Sequence, residues 1–485
     1  MKRKGAGSMP QTLPRTAPRP SLGRISPRRR DILLAAALCA VFYVLAGHDD
    51  LLETSNHAWL LLESIRSGKF LQYYEVVMAH ENTLYYLNNA HYNILCYLLY
   101  ALWQLPVYLV VKLGGLALNE YFLMFWSKAV GTAAYAGCAV LLGRLARALA
   151  FSEEDAHWAS LYFLLDPIAF LAAILMGQYD ALCMVFLLAG LLCWRKGQLW
   201  RFAFWAGLAM AFKFFPLLLF LPLLVLVEKR PLRCAGYAAA TLWAVVPSAL
   251  LFRGHTGDMG VFNDLMIDRI FAARLPGGVD VPIFLLLYAG LLLACYFYRP
   301  ADEAAAARWM PWLGLAVFGG LFLFTEWHPQ WLLLVVPFAV LTSLCQRQRA
   351  VWLYLENLWF FGFWLTANLH FPGQIEANLF RFGIFGRFIA AHTAAGTHNQ
   401  LAFYLNLIPR LADLAPVIFA APLAAAILFK CPVGGRSLAD RLADGDAPLA
   451  KSPSMRVMLF GSFFLCIVCI WGGTALYVTL KAFGL

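Results

Sequence analysis

Long uninterrupted apolar stretches constrain the fold of this chain more than any other feature. A transmembrane α-helix needs about 20 consecutive apolar residues, and apolar runs recur along the chain from residue 32 to residue 480. Hydrophobic residues make up 62% of the chain and charged residues 13%, a balance that excludes an ordinary soluble domain. The runs also lack the alternation of a membrane β-barrel strand. The sequence therefore predicts an all-α fold, a polytopic transmembrane helical bundle of about 12 to 14 spans.

Positive charge is concentrated at the amino end of the chain. Residues 1–31 contain nine Lys or Arg residues and one acid, Asp31. The segment is rich in Pro and Ser, which predicts disorder, and it is longer and more basic than a simple signal peptide. Because it directly precedes the first apolar run, the positive-inside rule predicts a cytoplasmic tail rather than a nucleic-acid-binding arm.

The polar segments between the runs predict a topology. With a cytoplasmic amino end, three outer loops are expected at about 48–91, 253–280 and 368–409. Nine of the ten histidines fall on this outer side. Part of this bias reflects the greater length of the outer loops. The rest predicts that the outer surface is functional and that the inner surface is structural.

Two segments near the amino end give local predictions. Pro106 and the pair Gly114-Gly115 predict that the run 92–118 is broken, which leaves the number of spans open by one. Residues 54–56, Thr-Ser-Asn, are typical of a helix cap. They predict an amphipathic surface helix over residues 57–67.

Other residues inside the runs have structural explanations. Asp166 precedes Pro167 and predicts a kink with a buried hydrogen bond, and Pro216 predicts a second break. Lys128 is expected to extend its ammonium to the membrane interface. The 11 cysteines lie mostly inside apolar runs and predict neither a disulfide framework nor a zinc site.

The point where the first run meets the first outer loop carries two adjacent acids, Asp49 and Asp50, after His48. Two interpretations are open. The acids are solvated charges that end a helix, or they face a water-filled cleft in the membrane protein. In a cleft, a carboxylate can accept a proton from the hydroxyl of an acceptor molecule. Asp49 and Asp50 are therefore the candidate catalytic bases.

Polar side chains at the ends of other runs are candidates for binding a substrate. Gln178 and Asp180 either cap a helix or line a cleft, and Lys213 either reaches the interface or binds a phosphate. The Glu-Trp-His stretch at 326–328 either anchors a span or binds sugar hydroxyls. The candidate donor- or substrate-binding residues are His48, His91, Gln178, Asp180, Lys213, Arg269, Glu326 and His328.

The order of these motifs resembles that of the GT-C superfamily of integral-membrane glycosyltransferases. The similarity is to the bacterial polyprenol-phosphate mannosyltransferases and to the eukaryotic GPI mannosyltransferase I type. It extends over roughly residues 32–345. The matching elements are the basic amino end, one span, the acidic pair, and the motifs Leu165-Asp166-Pro167-Ile168, Gly177-Gln178-Tyr179-Asp180, Lys213-Phe214-Phe215-Pro216 and His328-Pro329-Gln330.

The resemblance implies an enzyme, a hexosyltransferase that inverts the anomeric centre. It would move a mannose-like hexose from a polyprenyl-phosphate donor to a lipid, glycan or protein acceptor on the extracytoplasmic face of a bacterial inner membrane. By position, Asp49 or Asp50 would be the base, Gln178 and Asp180 would line the cleft, and Lys213 would lie near the donor phosphate. Members that need a metal carry a spaced Asp-x-Asp, which the adjacent acids here do not match, so neither a metal nor another cofactor is expected.

The resemblance also divides the chain. Residues 1–31 form the basic cytoplasmic tail, residues 32–345 the transmembrane catalytic module, and residues 346–485 a variable carboxyl-terminal transmembrane module. No motif accounts for the third outer loop.

Two other functions are compatible with the sequence. A flippase or transporter for lipid-linked sugars predicts internal repeats and charges at mid-membrane. A polysaccharide ligase or polymerase predicts Arg and His residues in a large late loop, and this chain offers Arg381, Arg387, His392 and His398.

Overall fold

A computed structural model gives the fold of the chain. It describes residues 29–80, 90, 92–253, 269–277, 279–371, 375, 377–384, 408, 410–433, 435–442 and 454–467. These residues are mostly helical, as the sequence predicts.

The first half of the chain contains twelve described helices. They are α1 (Arg29–Leu45), α2 (Asp49–Arg66), α3 (Tyr73–Ala79), α4 (Ile94–Gly114), α5 (Glu120–Ala148), α6 (Glu153–Leu165), α7 (Pro167–Phe170), α8 (Asp180–Arg195), α9 (Leu199–Met210), α10 (Pro216–Val227), α11 (Pro231–Ala240) and α12 (Val245–Leu251). Short 3₁₀ or π turns occupy Phe70–Gln72, Leu171–Leu175 and Thr241–Trp243.

The second half adds further helices and two small antiparallel hairpins. They are β1 (Arg274–Leu275), β2 (Val281–Pro282), α13 (Ile283–Phe297), α14 (Glu303–Phe324), a 3₁₀ segment (Pro329–Leu334), α15 (Val336–Leu344), α16 (Arg349–His370), α17 (Ala377–Arg381), α18 (Leu411–Phe429), β3 (Pro432–Val433), β4 (Arg436–Ser437), α19 (Leu438–Leu442) and α20 (Met455–Ile467).

The helices match a multi-pass membrane protein. Among the described residues, four helices (α4, α5, α14 and α18) are long and apolar enough to cross a bilayer, and up to seven spans result if each of three bent helix pairs counts as one. Four shorter apolar helices of 10–17 residues follow the same composition. The sequence-based count of 12 to 14 spans stays a prediction.

One apolar core joins the two predicted transmembrane modules. A continuous cluster of buried side chains extends from Ala35 in α1 to Ile467 in α20. Helices α16 and α18 pack side by side and contact α14 and α15, so the predicted boundary at residues 345 and 346 lies inside a shared core. A smaller cluster of Trp59, Tyr108 and Leu123 joins α2, α4 and α5.

Two predicted kinks are confirmed. Helices α6 and α7 meet at an angle of 51° at Asp166. There the Asp166 carboxylate accepts hydrogen bonds from the backbone N–H groups of Ile168 and Ala169, each at 2.9 Å. The chain also breaks between α9 and α10, and α10 begins at Pro216. At both places the proline has no backbone N–H to satisfy and occupies the first helical position.

The break predicted at Pro106 is wrong, whereas the one predicted at Gly114-Gly115 is present. Helix α4 is continuous across Pro106 and ends at Gly114, and Gly115, with a positive φ of 63°, caps it. The amino end of α5 follows within a few residues. Lys112, near the end of α4, forms an ion pair with Glu63 of α2 at 2.5 Å. Arg147 lies in the last turn of α5, at the end of that helix farther along the chain. The two cations therefore do not lie at the same end of α5.

The predicted start of the surface helix is also wrong. Helix α2 begins at Asp49, eight residues before the expected position, so the acidic pair lies in its first turn. The hydroxyls of Thr54 and Ser55 donate to the carbonyls of Asp50 and Leu51 inside the helix and do not cap it. Helices α1 and α2 meet at an angle of 77°.

Candidate functional site

The bend between α1 and α2 places the two acids. Gly47 donates its N–H to the carbonyl of Leu379 at 3.2 Å, and Ile384 donates to the carbonyl of Val44 at 3.2 Å. A side chain at residue 47 would collide with the main-chain carbonyl of Phe382, so glycine is required there. The late segment 377–384 therefore holds the bend, and the positive end of the α2 dipole favours acids in its first turn.

His48 caps α2 and makes the two acids unequal. Its Nδ1 lies 3.2 Å from the N–H of Asp50 and 2.7 Å from Oδ1 of Asp49. Asp49 is buried, with only 3% of its side chain exposed, whereas Asp50 keeps 31% exposed. Asp49 therefore faces the protein, and Asp50 is the acid that a ligand can reach.

Asp50 is held by two distant amides. Gln178, in the turn before α8, donates from Nε2 to Oδ2 of Asp50 at 3.0 Å. Gln330, in the 3₁₀ segment, donates from Nε2 to the same oxygen at 3.2 Å. Both amides are buried. They fix one carboxylate oxygen in place, and the other lies 3.8 Å from Nδ1 of His48.

Lys213 lies between α9 and α10 in an aromatic enclosure. Its Nζ is 5.0 Å from the ring of Tyr92, 4.9 Å from that of Tyr179 and 5.3 Å from that of Trp331. Oδ1 of Asp180 lies 3.8 Å from the same nitrogen. The side chain is 5% exposed, so of the two alternatives for Lys213, the one in which its ammonium reaches the membrane interface does not hold.

The charge of Lys213 is stabilised by its neighbours. Burial alone would lower the pKa of this ammonium, but Asp180, Tyr92 and Asp50 outweigh burial and raise the pKa above its usual value. Lys213 therefore stays protonated at any physiological pH. Asp180 is fully buried, and among the described residues neither of its oxygens has a hydrogen-bond partner.

Arg269 and His328 complete the cluster around Trp331. The guanidinium carbon of Arg269 lies 5.4 Å from the Trp331 ring, and the imidazole ring of His328 lies 4.9 Å from it. Burial, together with the positive charges of Arg269 and Lys213, lowers the pKa of His328 to about 3. The site therefore contains two cations beside a neutral imidazole.

The fold brings most of the predicted site residues together. Glu326 is exposed and acts electrostatically on Arg269 from the edge. His91 lies outside the described residues, as do Arg387, His392 and His398 of the late loop. Arg381 is described and is exposed beside the ring of Phe382. The residues gathered at the site are His48, Asp49, Asp50, Gln178, Asp180, Lys213, Arg269 and His328.

Four residues that lie in the site were not assigned to it from the sequence. Gln330 belongs to the His-Pro-Gln motif but was not assigned a role, and its amide is one of the two that bind Asp50. Tyr92 and Tyr179 adjoin the polar stretches before α4 and α8, and their position beside such stretches was the available signal. Trp331 follows Gln330 directly, and nothing in its local sequence indicates that two cations lie over its ring.

The bend also offers a set of metal-ligand atoms. His48, Asp49 and Asp50 each have one ligand atom within 4.8 Å of those of the other two. A divalent cation there would compete with the backbone N–H of Asp50, which already donates to His48 Nδ1 and to Asp49 Oδ1 at 3.0 Å.

Comparisons with known proteins found no match for this chain among protein-family models, curated proteins or solved structures.

Proposed function

We propose that the chain is a membrane glycosyltransferase that moves a hexose from a polyprenyl-phosphate donor to a hydroxyl of a lipid, glycan or protein acceptor. The observation that carries the proposal is the single cluster in which a partly exposed carboxylate, Asp50, interacts electrostatically with buried Lys213, while Arg269 lies over the same Trp331 ring as Lys213. A base beside fixed cations is what transfer of a sugar away from a phosphate needs. The apolar helices around the cluster suit a donor with a long lipid tail.

Asp50 is the proposed general base. Its two amide partners both bind Oδ2, so Oδ1 is free of them and the side chain is accessible. Asp49 is closed off by His48 and is assigned a supporting role. In the reaction, the acceptor oxygen bonds to the anomeric carbon from the face opposite the phosphate, and its proton passes to Asp50. The bond from the anomeric carbon to the phosphate oxygen breaks, and inversion results.

The leaving polyprenyl phosphate carries away the bonding electrons and gains negative charge. Lys213 and Arg269 stabilise that charge; Lys213 is buried, Arg269 is partly buried, and both lie over Trp331 before the reaction. His328 is neutral, so it adds a hydrogen-bonding group without competing for the phosphate as a third cation. No step in this scheme requires a metal ion or another cofactor.

The test is sugar transfer by the purified protein in detergent. Polyprenyl-phosphate mannose, glucose and arabinose serve as donors, and a membrane glycolipid extract serves as acceptor. The variants are Asp50→Asn and Asp49→Asn, with Asp280→Asn as the matched control because Asp280 is exposed. Loss of a general base lowers kcat by about 10²- to 10⁴-fold. We expect this loss in Asp50→Asn, a smaller loss in Asp49→Asn, and wild-type transfer in Asp280→Asn.

Two results would contradict the proposal. Equal transfer by wild type and Asp50→Asn would move the chemistry to the late loop and favour a ligase or polymerase. Absence of transfer from all three donors, together with tight binding of a lipid-linked sugar, would favour a flippase.

A further inference from the structure

Lys128 of α5 is buried at the α1–α2 bend, where the sequence predicted that it would extend to the membrane interface. Its side chain is fully enclosed. The ammonium donates hydrogen bonds to the carbonyls of Tyr43 and Ala46, each at 2.7 Å. These carbonyls belong to the last turn of α1 and to the residue just after it. Lys128 therefore closes the end of α1 two residues before His48.

The ammonium is compensated by backbone groups. In the part of the chain that the structure describes, no carboxylate lies within ion-pair distance of Lys128 Nζ. The carbonyl end of α1 carries partial negative charge, and the ring of Tyr43 lies 5.1 Å from the nitrogen. Burying an amino group is costly unless its N–H groups are hydrogen-bonded, and here two carbonyls accept from it, contacts that an apolar side chain would not make.

The stem of Lys128 also supports the turn that holds Gln178. A Cβ on Gly177 would lie 2.9 Å from Cγ of Lys128 and 2.7 Å from a methyl group of Leu51. Gly177 has a positive φ of 71°, which favours glycine at that position. One turn along α5, Gly131 lets the carbonyl of Gln178 approach closely. The side chain of Lys128 thus lies between the bend that carries Asp50 and the turn that carries its amide partner.

We propose that Lys128 is a positioning residue that fixes the direction of α2 and keeps Asp50 in register with Gln178. It acts through the two carbonyls and through its contact with Gly177, without touching a substrate. The effect of Lys128 on the direction of α2 follows from the geometry alone. Its effect on catalysis rests on the proposed function.

The bend is tested with spin labels. Cysteines introduced at Val41 on α1 and Ile65 on α2, both exposed, carry the labels in a chain whose native cysteines are replaced. We expect a narrow distance distribution in the parent and a broad or shifted one with Lys128→Met. The matched control is Lys229→Met, because Lys229 also donates to two backbone carbonyls at the end of a helix, those of Cys295 and Tyr298 at the end of α13. An unchanged distribution in Lys128→Met would overturn the proposal.

The catalytic part is tested by the split between kcat and KM. A displacement of about 1 Å at a reacting group lowers the rate by about 10²-fold, so Lys128→Met is expected to lower kcat by about that factor. KM for the donor should stay unchanged, since Lys213 and Arg269 are untouched. Lys128→Arg keeps the charge and several donors and should recover most of the loss. A parallel fall in kcat by Lys229→Met would assign the effect to general destabilisation and overturn the proposal.

A second variant covers the case in which Lys128→Met does not fold. Gly177→Ala disturbs the same contact from the other side, so on its own it should lower kcat and leave KM for the donor unchanged. Where Lys128→Met folds, the losses of the two variants should not add, because both act through one arrangement. Wild-type kcat in Gly177→Ala, or additive losses, would contradict the coupling. If the wild type transfers no sugar, the proposed function fails, while the spin-label experiment still decides whether Lys128 sets the bend.

Discussion

At the residue scale, the sequence predicted which polar side chains lie together better than it predicted their environments. It identified Asp49 and Asp50 together but could not separate them. The difference comes from His48, which encloses Asp49, and from Gln178 and Gln330, which bind Asp50 and lie 128 and 280 residues away along the chain. The prediction for Lys128 failed for a related reason. A lysine in an apolar run reaches the interface only if no backbone acceptors lie within its reach, and here the end of α1 supplies two.

His328 gives a pH-dependent prediction at this scale. Its pKa is lowered from 6.5 to about 3 in the folded chain by burial and by Arg269 and Lys213. Between those two values the unfolded chain binds a proton at this residue and the folded chain does not. The free energy of unfolding therefore falls as the pH falls through this window. Above pH 6.5 His328 is neutral in both states, and this loss of stability is absent. Replacing His328 removes that loss.

We expect the thermal unfolding midpoint of the wild type in detergent to fall on acidification from about pH 7 to about pH 5, and that of His328→Gln to fall less. Scans at one fixed rate compare the two proteins. The control is His157→Gln, since His157 is exposed beside Arg147. Identical pH dependence in wild type and His328→Gln would show that His328 is not the group responsible.

At the element scale, apolar runs predicted most helices, and prolines predicted two of three breaks. The failure at Pro106 has a physical cause. In a packed helical bundle, neighbouring helices and small local adjustments satisfy the backbone groups that a proline frees. The start of α2 was misplaced because Thr54 and Ser55 resemble caps. Their hydroxyls also bond well to the preceding turn of a helix, and only the structure shows which arrangement is present.

The packing of α15, α16 and α18 includes an ionic cluster that the sequence did not indicate. Lys430 at the end of α18 donates to Oγ of Ser343 at 2.5 Å and lies 3.3 Å from Oε1 of Glu356. The Lys430 side chain is fully buried, and that of Glu356 is 12% exposed. Removing one member of such a pair leaves the other charge buried and unpaired, at a cost of about 3–5 kcal/mol.

Lys430→Met should therefore lower the unfolding midpoint strongly, and Glu356→Leu should do the same. The double variant should recover much of the loss, because an apolar pair avoids the cost of a buried charge. Arg410→Met is the control, since Arg410 pairs with Asp413 in an exposed position and should have no measurable effect. A double variant as unstable as the sum of the singles would show that the two side chains do not act as a pair.

At the scale of the whole molecule, the site forms because several polar segments meet at one end of the helices. Hydropathy predicted those segments, but their pairing in space could not be deduced from one sequence. The other end is closed by separate ion pairs between distant helices. They are Asp31–Arg456, Asp155–Arg349 and Arg195–Glu303. The arginines of these pairs are among the residues that the positive-inside rule predicts to be cytoplasmic.

This separation predicts the orientation in the membrane. We assign two exposed residues to the two ends: Val279, in the β1–β2 hairpin that follows Arg269, and Lys196, which follows Arg195 of the ion pair with Glu303. In intact bacterial cells, a membrane-impermeant maleimide should label a cysteine placed at Val279. It should label one placed at Lys196 only after the cells are permeabilised. Both variants are built in a chain whose native cysteines are replaced, and that parent serves as the unlabelled control. If only Lys196→Cys were labelled in intact cells, the orientation of the protein in the membrane would be the reverse of the predicted one. Asp50 would then face the cytoplasm, where the proposed transfer to an extracytoplasmic acceptor could not take place.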